Sequence, residues 1–210
     1  MIRILLADDH AIVRRGLRQI ILEDLGQAVV GEVATGQGVL DSVRKESWDA
    51  IVLDISLPDK NGLDVLKEVK ALRPSLPVLI FSAGLEDQYA VRALKAGAAG
   101  YMAKELAEEE LVAALKKVLK GGIYVSPSLA ERFAGDASGK TDSAPHHALS
   151  DREIEVLRLL AKGKTVSDIA DQLSLSVTTI STYRARLLAK LTLKSTAALI
   201  RYALDHKLGD

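Results

Sequence analysis

The sequence predicts an α/β fold joined to a second, all-helical unit. The first is a five-stranded, parallel, doubly wound sheet over residues 1–122; the second is a four-helix, helix-turn-helix unit over residues 149–210. Three observations carry this reading. Five short apolar runs alternate with helical patterns between Met1 and Gly122. The pattern then dissolves into a Ser-, Ala-, Gly-, Asp- and Pro-containing stretch from Ser126 to His147. From Ser150 onward, helix-start signals follow one another closely.

Strands are expected near residues 2–7, 28–34, 50–54, 77–82 and 99–102, and helices near 10–24, 36–46, 61–72, 86–96 and 106–120. The run Ala50 to Leu53 reads as a strand buried on both faces, with Asp54 where it ends and Pro58 marking the turn beyond. The fifth helix shows the pattern clearly. Leu111, Leu115, Val118 and Leu119 share one face, acids gather at its start, and Lys116, Lys117 and Lys120 lie near its end, which suits the helix dipole. Residues 123–148 read as a linker with a short apolar piece around Leu129 and Phe133; the pair His146-His147 reads as solvated linker residues. Ser150-Asp151-Arg152-Glu153 has the form of a capping box. Thr165 and Ser176 start the next two helices, Leu173 to Ser176 leaves a tight turn between them, and a fourth helix runs from about Thr196 to His206.

The 210 residues suffice for one large or two small domains. With no cysteine, disulfides and thiolate metal sites are excluded. The apolar runs are too short to cross a bilayer, so a cytoplasmic protein without a membrane partner is expected. The net charge of zero hides an asymmetry: residues 1–125 hold 16 basic and 18 acidic side chains, whereas residues 149–210 hold 10 and 7. A basic second unit suits a nucleic-acid partner.

Chemical groups collect at strand ends. Asp8 and Asp9 follow the first strand, Asp54 ends the third, Ser82 ends the fourth, Tyr101 lies in the fifth, and Lys104 stands just beyond it. Taken singly, each has a plain reading: a helix cap, a turn residue, a core aromatic, a solvated lysine. Their common placement at the carboxyl ends of a parallel sheet, where such folds bind ligands, turns the balance towards a site. Three crowded carboxylates suit a hard cation such as Mg²⁺, and a carboxylate beside one can act as a nucleophile towards phosphorus.

On those residues, the first 122 positions resemble a response-regulator receiver domain. The resemblance implies Asp54 as phosphoacceptor, Mg²⁺ held by Asp9, Asp54 and the Ser56 backbone carbonyl, with Asp8 acting through water. It makes Ser82 and Tyr101 a switch pair and Lys104 the partner of the phosphoryl oxygens. One departure is Glu105, where many receivers carry proline after the lysine.

Residues 149–210 resemble the LuxR-type helix-turn-helix of the NarL/FixJ class, through Leu149, Arg152, Glu153, Glu155, Val156, Leu157, Leu160, Ala161 and Gly163, then Asp168, Ile169, Ala170, Leu173, Ser176, Thr179, Ile180, Tyr183, Lys190 and Leu191. Where that pattern often has Lys, this chain has Ser181; Ser181 to Arg186 is similar to the branch of the GacA and BvgA regulators. The third helix would enter the major groove of double-stranded DNA. Thr178, Thr179, Ser181 and Thr182 would offer hydroxyls and methyls, while Arg184, Arg186 and Lys190 would offer charge to phosphates or, for Arg, to guanine. The combined resemblance implies a transcription regulator rather than an enzyme, with a histidine kinase as phosphodonor, RNA polymerase as a candidate partner, and a homodimer when phosphorylated. Two rival readings differ from this one. A metal-dependent phosphotransferase of the haloacid-dehalogenase type would carry a second Asp two residues after the nucleophile, where this chain has Ser56. A phosphorylation-independent DNA-binding dimer would be expected to have a broken acid pocket.

Overall fold

A computed structural model describes residues 1–82, 86–126, 129–130, 145–173, 175–206 and 208. The chain divides into two compact units, residues 1–140 and 141–210. Most of the expected linker, Phe133 included, lies outside the described residues.

In the first unit the elements alternate as β1 (Ile2–Ala7), α1 (Ala11–Leu25), β2 (Ala28–Val33), α2 (Gly36–Lys45), β3 (Ala50–Asp54), α3 (Gly62–Leu72), β4 (Val78–Ser82), α4 (Glu86–Lys95), β5 (Gly100–Ala103) and α5 (Ala107–Leu119). All strand pairs are parallel, in the order β2-β1-β3-β4-β5. Strands β3 and β4 are buried at every position, as continuous apolar runs require. Ile4, Leu6, Val52, Leu79 and Phe81 pack with Leu17 and Ile21 of α1 and with Leu111, Leu115 and Val118 of α5 on one face. The alternate residues Leu5, Ile51, Leu53 and Ile80 are equally buried, on the face that α2, α3 and α4 cover.

The chain order changes direction between β1 and β3, so a crevice opens at their carboxyl ends. Register fixes what reaches it: Ala7 pairs with Leu53, and Asp54 pairs with Phe81, so Asp8, Asp54 and Ser82 emerge together. All three are buried.

The sheet continues one step past the expected end of the domain. Gly100 bridges Tyr124 in parallel sense; the Tyr101 N–H donates to the Tyr124 carbonyl at 3.1 Å and the Tyr124 N–H to that of Ala99 at 2.9 Å. A Cβ on Gly100 would lie 2.6 Å from the Tyr124 carbonyl oxygen, so only glycine permits this approach. Ser126 and Leu129 are also buried, and the Leu129 N–H donates to the Ser126 hydroxyl at 3.2 Å.

The second unit comprises α6 (Asp151–Ala161), α7 (Val166–Gln172), α8 (Val177–Lys190) and α9 (Thr196–Asp205). Each opens on a Ser or Thr cap: Ser150, Thr165, Ser176 and Ser195 all accept a backbone N–H through the side chain. Each such cap contributes about 1 kcal/mol. Helix α6 packs on α8 and α9, and α7 packs on α8. Ile154, Leu157, Ile169, Ile180, Leu187, Leu199 and Ala203 form the core between them. One sequence expectation is corrected. His146 is 8% exposed, its Nδ1 lies 2.9 Å from the Tyr202 hydroxyl, and its ring meets that of His206 edge-on. It is a packed residue of the helical unit, not a solvated one. No described helix is long and apolar enough to cross a membrane.

Candidate functional site

Lys104 organises the crevice. Its ammonium donates to Asp8 Oδ2 at 2.5 Å and to Asp54 Oδ2 at 2.9 Å, with 17% of its side chain exposed. A 3-10 turn over Lys104–Leu106 carries it past the end of β5, and every peptide among the described residues is trans, Lys104-Glu105 included. The ammonium also lies 5.5 Å from the Phe81 ring centroid. Burial acts to lower the Lys104 pKa, but the charge of Asp54 and hydrogen bonds to both carboxylates overcome it, and the net shift is upward. The lysine is held as a cation.

Asp54 stands in the opposite balance. Burial pushes its carboxyl above the usual range, and Lys104 together with the Ser56 N–H, which donates to Oδ1 at 3.2 Å, offsets only part of this. Asp8 spends Oδ1 on the His10 N–H at 2.8 Å, while its backbone carbonyl accepts from Arg14 at 2.7 Å. Asp9 is the more open of the pair, and the His10 imidazole lies 2.7 Å from its Oδ1. Neither acid serves as a side-chain cap for α1; that position belongs to His10, which makes no cap bond of its own. Asp8, Asp9, His10 and Asp54 together bring ligand atoms within 4.8 Å of one another. Ser82 is 2% exposed at the end of β4. Tyr101, in β5, is wholly buried.

Sequence reasoning overlooked His10, Asp59 and Asn61. Asn61 caps α3 by accepting from the Leu63 N–H at 2.9 Å and bridges Ser56, closing the loop beyond Asp54. Gly62 must lack a side chain, because a Cβ would meet the Asp54 carbonyl oxygen at 2.2 Å. The Asn-Gly pair was a visible turn signal. Asp59 takes the Gly36 and Gln37 N–H groups at 2.7 and 2.8 Å, tying the same loop to the start of α2. Slight burial opposes its ionisation, and these backbone donors win, holding its carboxyl below the usual range.

On α8, Thr178 and Thr182 are exposed, and Thr179, Ser181 and Arg184 are half-buried. Arg186 is exposed, with its guanidinium 6.0 Å from the Tyr183 ring centroid. Thr179 shares a hydrogen bond of 2.8 Å with the capping Ser176 hydroxyl. Lys190 donates to Glu153 Oε2 at 2.7 Å, and Glu153 is 2% exposed. Burial works against the Glu153 charge, but Lys190 and the Ser150 cap prevail and hold its carboxyl below the usual range. The lysine expected to face DNA is thus engaged inside its own unit.

An acid-lined crevice at the end of a parallel sheet and a helix-turn-helix in one chain define a class: proteins that couple a receiver-like fold to a regulatory DNA-binding fold. The comparisons agree. Residues 4–116 match the response regulator receiver domain, and residues 147–203 match the bacterial regulatory proteins of the luxR family. The response regulator UvrY of Escherichia coli (strain K12) is 31% identical over 209 residues, 99% of this chain and 96% of UvrY. The response regulator GacA of Pseudomonas aeruginosa is 33% identical over 211 residues, 100% of this chain and 99% of GacA. Among solved structures, RcsB from Salmonella enterica serovar Typhimurium, bound to promoter rprA with the phosphomimetic BeF3-, is 28% identical with a TM-score of 0.68, covering 96% of this chain and 98% of RcsB. The chain belongs to the two-component response regulators that join a receiver domain to a luxR-family helix-turn-helix domain.

Proposed function

We propose that this chain receives a phosphoryl group on Asp54 from a histidine kinase in the cytoplasm and thereby controls its binding to DNA as a transcription regulator. The observation that supports it most directly is the single Lys104 ammonium shared by Asp8 and Asp54 at the carboxyl end of the central strand. An Asp54 carboxylate oxygen forms the new bond to phosphorus, while the bond to the donor's leaving group breaks and the electron pair departs with that group. Lys104 then exchanges its contact with Asp54 for the phosphoryl oxygens, and the Ser82 hydroxyl donates to them. The oxygen-rich set of buried Asp8 and Asp54 with the exposed Asp9, completed by the Ser56 carbonyl, fits Mg²⁺. Bound there, the ion supplies neutralisation of phosphoryl charge.

Repacking around Ser82 and β5 changes the surface near α4 and α5, and this shifts the chain from a monomer towards a homodimer competent for two DNA half-sites. RcsB offers the analogy, since one of its structures shows two dimers on two parallel DNAs. DNA contacts fall to Thr178, Ser181, Thr182, Arg184 and Arg186, and RNA polymerase is the partner such a dimer would present to a promoter. The test of the receiver is labelling by acetyl phosphate with Mg²⁺. Wild type should take up one phosphoryl group and Asp54→Asn none; stoichiometric label on the variant, or label on wild type without divalent ions, would overturn the assignment.

A further inference from the structure

Two histidines that the proposed function leaves unused meet at the carboxyl end of α9. His146 comes from the 3-10 turn over Pro145–Ala148 that precedes α6, and His206 caps α9. Their ring centroids lie 5.3 Å apart at an interplanar angle of 69°. Tyr202, one turn earlier on α9, serves both rings. Its carbonyl takes the His206 backbone N–H at 3.1 Å and the His206 Nδ1 at 2.9 Å. A carbonyl only accepts, so neutral His206 carries its proton on Nδ1 and has a lone pair on Nε2. The Tyr202 hydroxyl lies 2.9 Å from His146 Nδ1 and can take that proton in the same way. The Tyr202 ring also stacks on that of His206, with 4.0 Å between centroids. A single residue thus orients both imidazoles through Nδ1. Imidazoles that ligate a metal are oriented in this manner, by a hydrogen bond from the ring nitrogen that does not ligate.

The geometry points to a metal site in the helical unit, where Nε2 of His146 and of His206 hold one divalent transition-metal ion of the zinc kind, with water completing its coordination. Two rings at tetrahedral positions on one Zn²⁺, with Zn–N of about 2.1 Å, place their centroids about 5 Å apart, which matches this pair. Imidazole ligands select zinc, copper or nickel, whereas the all-oxygen crevice of the first unit suits Mg²⁺, so the two sites take different ions. A cation is also favoured here because the carboxyl end of a helix carries partial negative charge. His206 is exposed, so an ion reaches the pair from solvent. Once bound, it clips the turn that enters the helical unit to the last helix of that unit.

The experiment titrates Zn²⁺ into the full chain, without a purification tag and with Mg²⁺ in excess. Binding is read by calorimetry and by imidazole nitrogen NMR, in which the chain's four histidines report separately. Zn²⁺ should move the Nε2 resonances of His146 and His206 together, saturating at one ion per chain, and leave His10 beside the acid crevice in place. His206→Gln, a change at an exposed position, should abolish this binding. Tyr202→Phe keeps the ring and the carbonyl but removes the partner of His146 Nδ1, and should weaken Zn²⁺ binding by about tenfold. Shifts confined to His10, or equal Zn²⁺ affinity in wild type and His206→Gln, would overturn the inference.

Discussion

Two buried carboxylates of this protein meet their lysines in opposite circumstances, and pH separates them. Asp54 has its pKa raised by burial, so its ionised form costs stability in the folded state. That cost is absent below the unfolded pKa of about 3.8 and appears as pH rises through the raised folded value. In metal-free protein, Asp54→Asn should therefore raise the melting temperature of the receiver at neutral pH and lose that advantage in acid, as read by thermal unfolding at several pH values. Glu153 has its pKa lowered, so it stabilises above its unfolded value of about 4.5, and that contribution is lost as pH falls through the depressed folded value. Glu153→Gln should cost about 1 kcal/mol at neutral pH, allowing for the exposure of Lys190, and almost nothing in strong acid. Unfolding of Glu153→Gln, Lys190→Met and the double variant would give the coupling directly. The Asp54 cluster was legible in the sequence because a carboxylate directly after a buried apolar run has few places to go. The Lys190–Glu153 pair was not, since its members are 37 residues apart and each had an adequate local explanation: a DNA contact and a capping box.

Among the elements, the parallel sheet and its helices were predicted to within a residue or two at most boundaries, because uniformly buried strands and amphipathic helices leave different periods. The short segment around Tyr124 left no such mark. A single bridge has no period, and Gly121-Gly122 before it reads as the end of a domain. Yet this segment holds the free edge of β5 by hydrogen bonds to Ala99 and Tyr101, and its Tyr124 hydroxyl bonds Glu110 of α5. The backbone of Tyr101 is thereby tied to the chain that follows α5. Tyr124→Ala should loosen that edge: exchange of the Tyr101 amide hydrogen should quicken by about tenfold or more, while amides of β3 remain protected. Tyr124→Phe, which keeps the ring and both backbone bonds, should leave the Tyr101 amide close to wild type. Equal exchange in wild type and Tyr124→Ala would show that the bridge does not hold the edge.

At the scale of the whole chain, the receiver supplies a chemical event and the helical unit supplies a surface for DNA; the function lies in their coupling. A lone recognition helix buries little surface, so the proposed control through dimerisation is a physical economy. A complete shift between two states would require about 5.5 kcal/mol of differential stabilisation, and a regulator works with less. The most direct measurement is the affinity of the full chain for a duplex selected by it from random-sequence DNA, at fixed salt with Mg²⁺ present, before and after addition of acetyl phosphate. Wild type should bind more tightly once phosphorylated, with steeper dependence on protein concentration, and Asp54→Asn should show neither change. Equal affinity of wild type with and without the phosphodonor, despite confirmed phosphoryl uptake, would contradict the account.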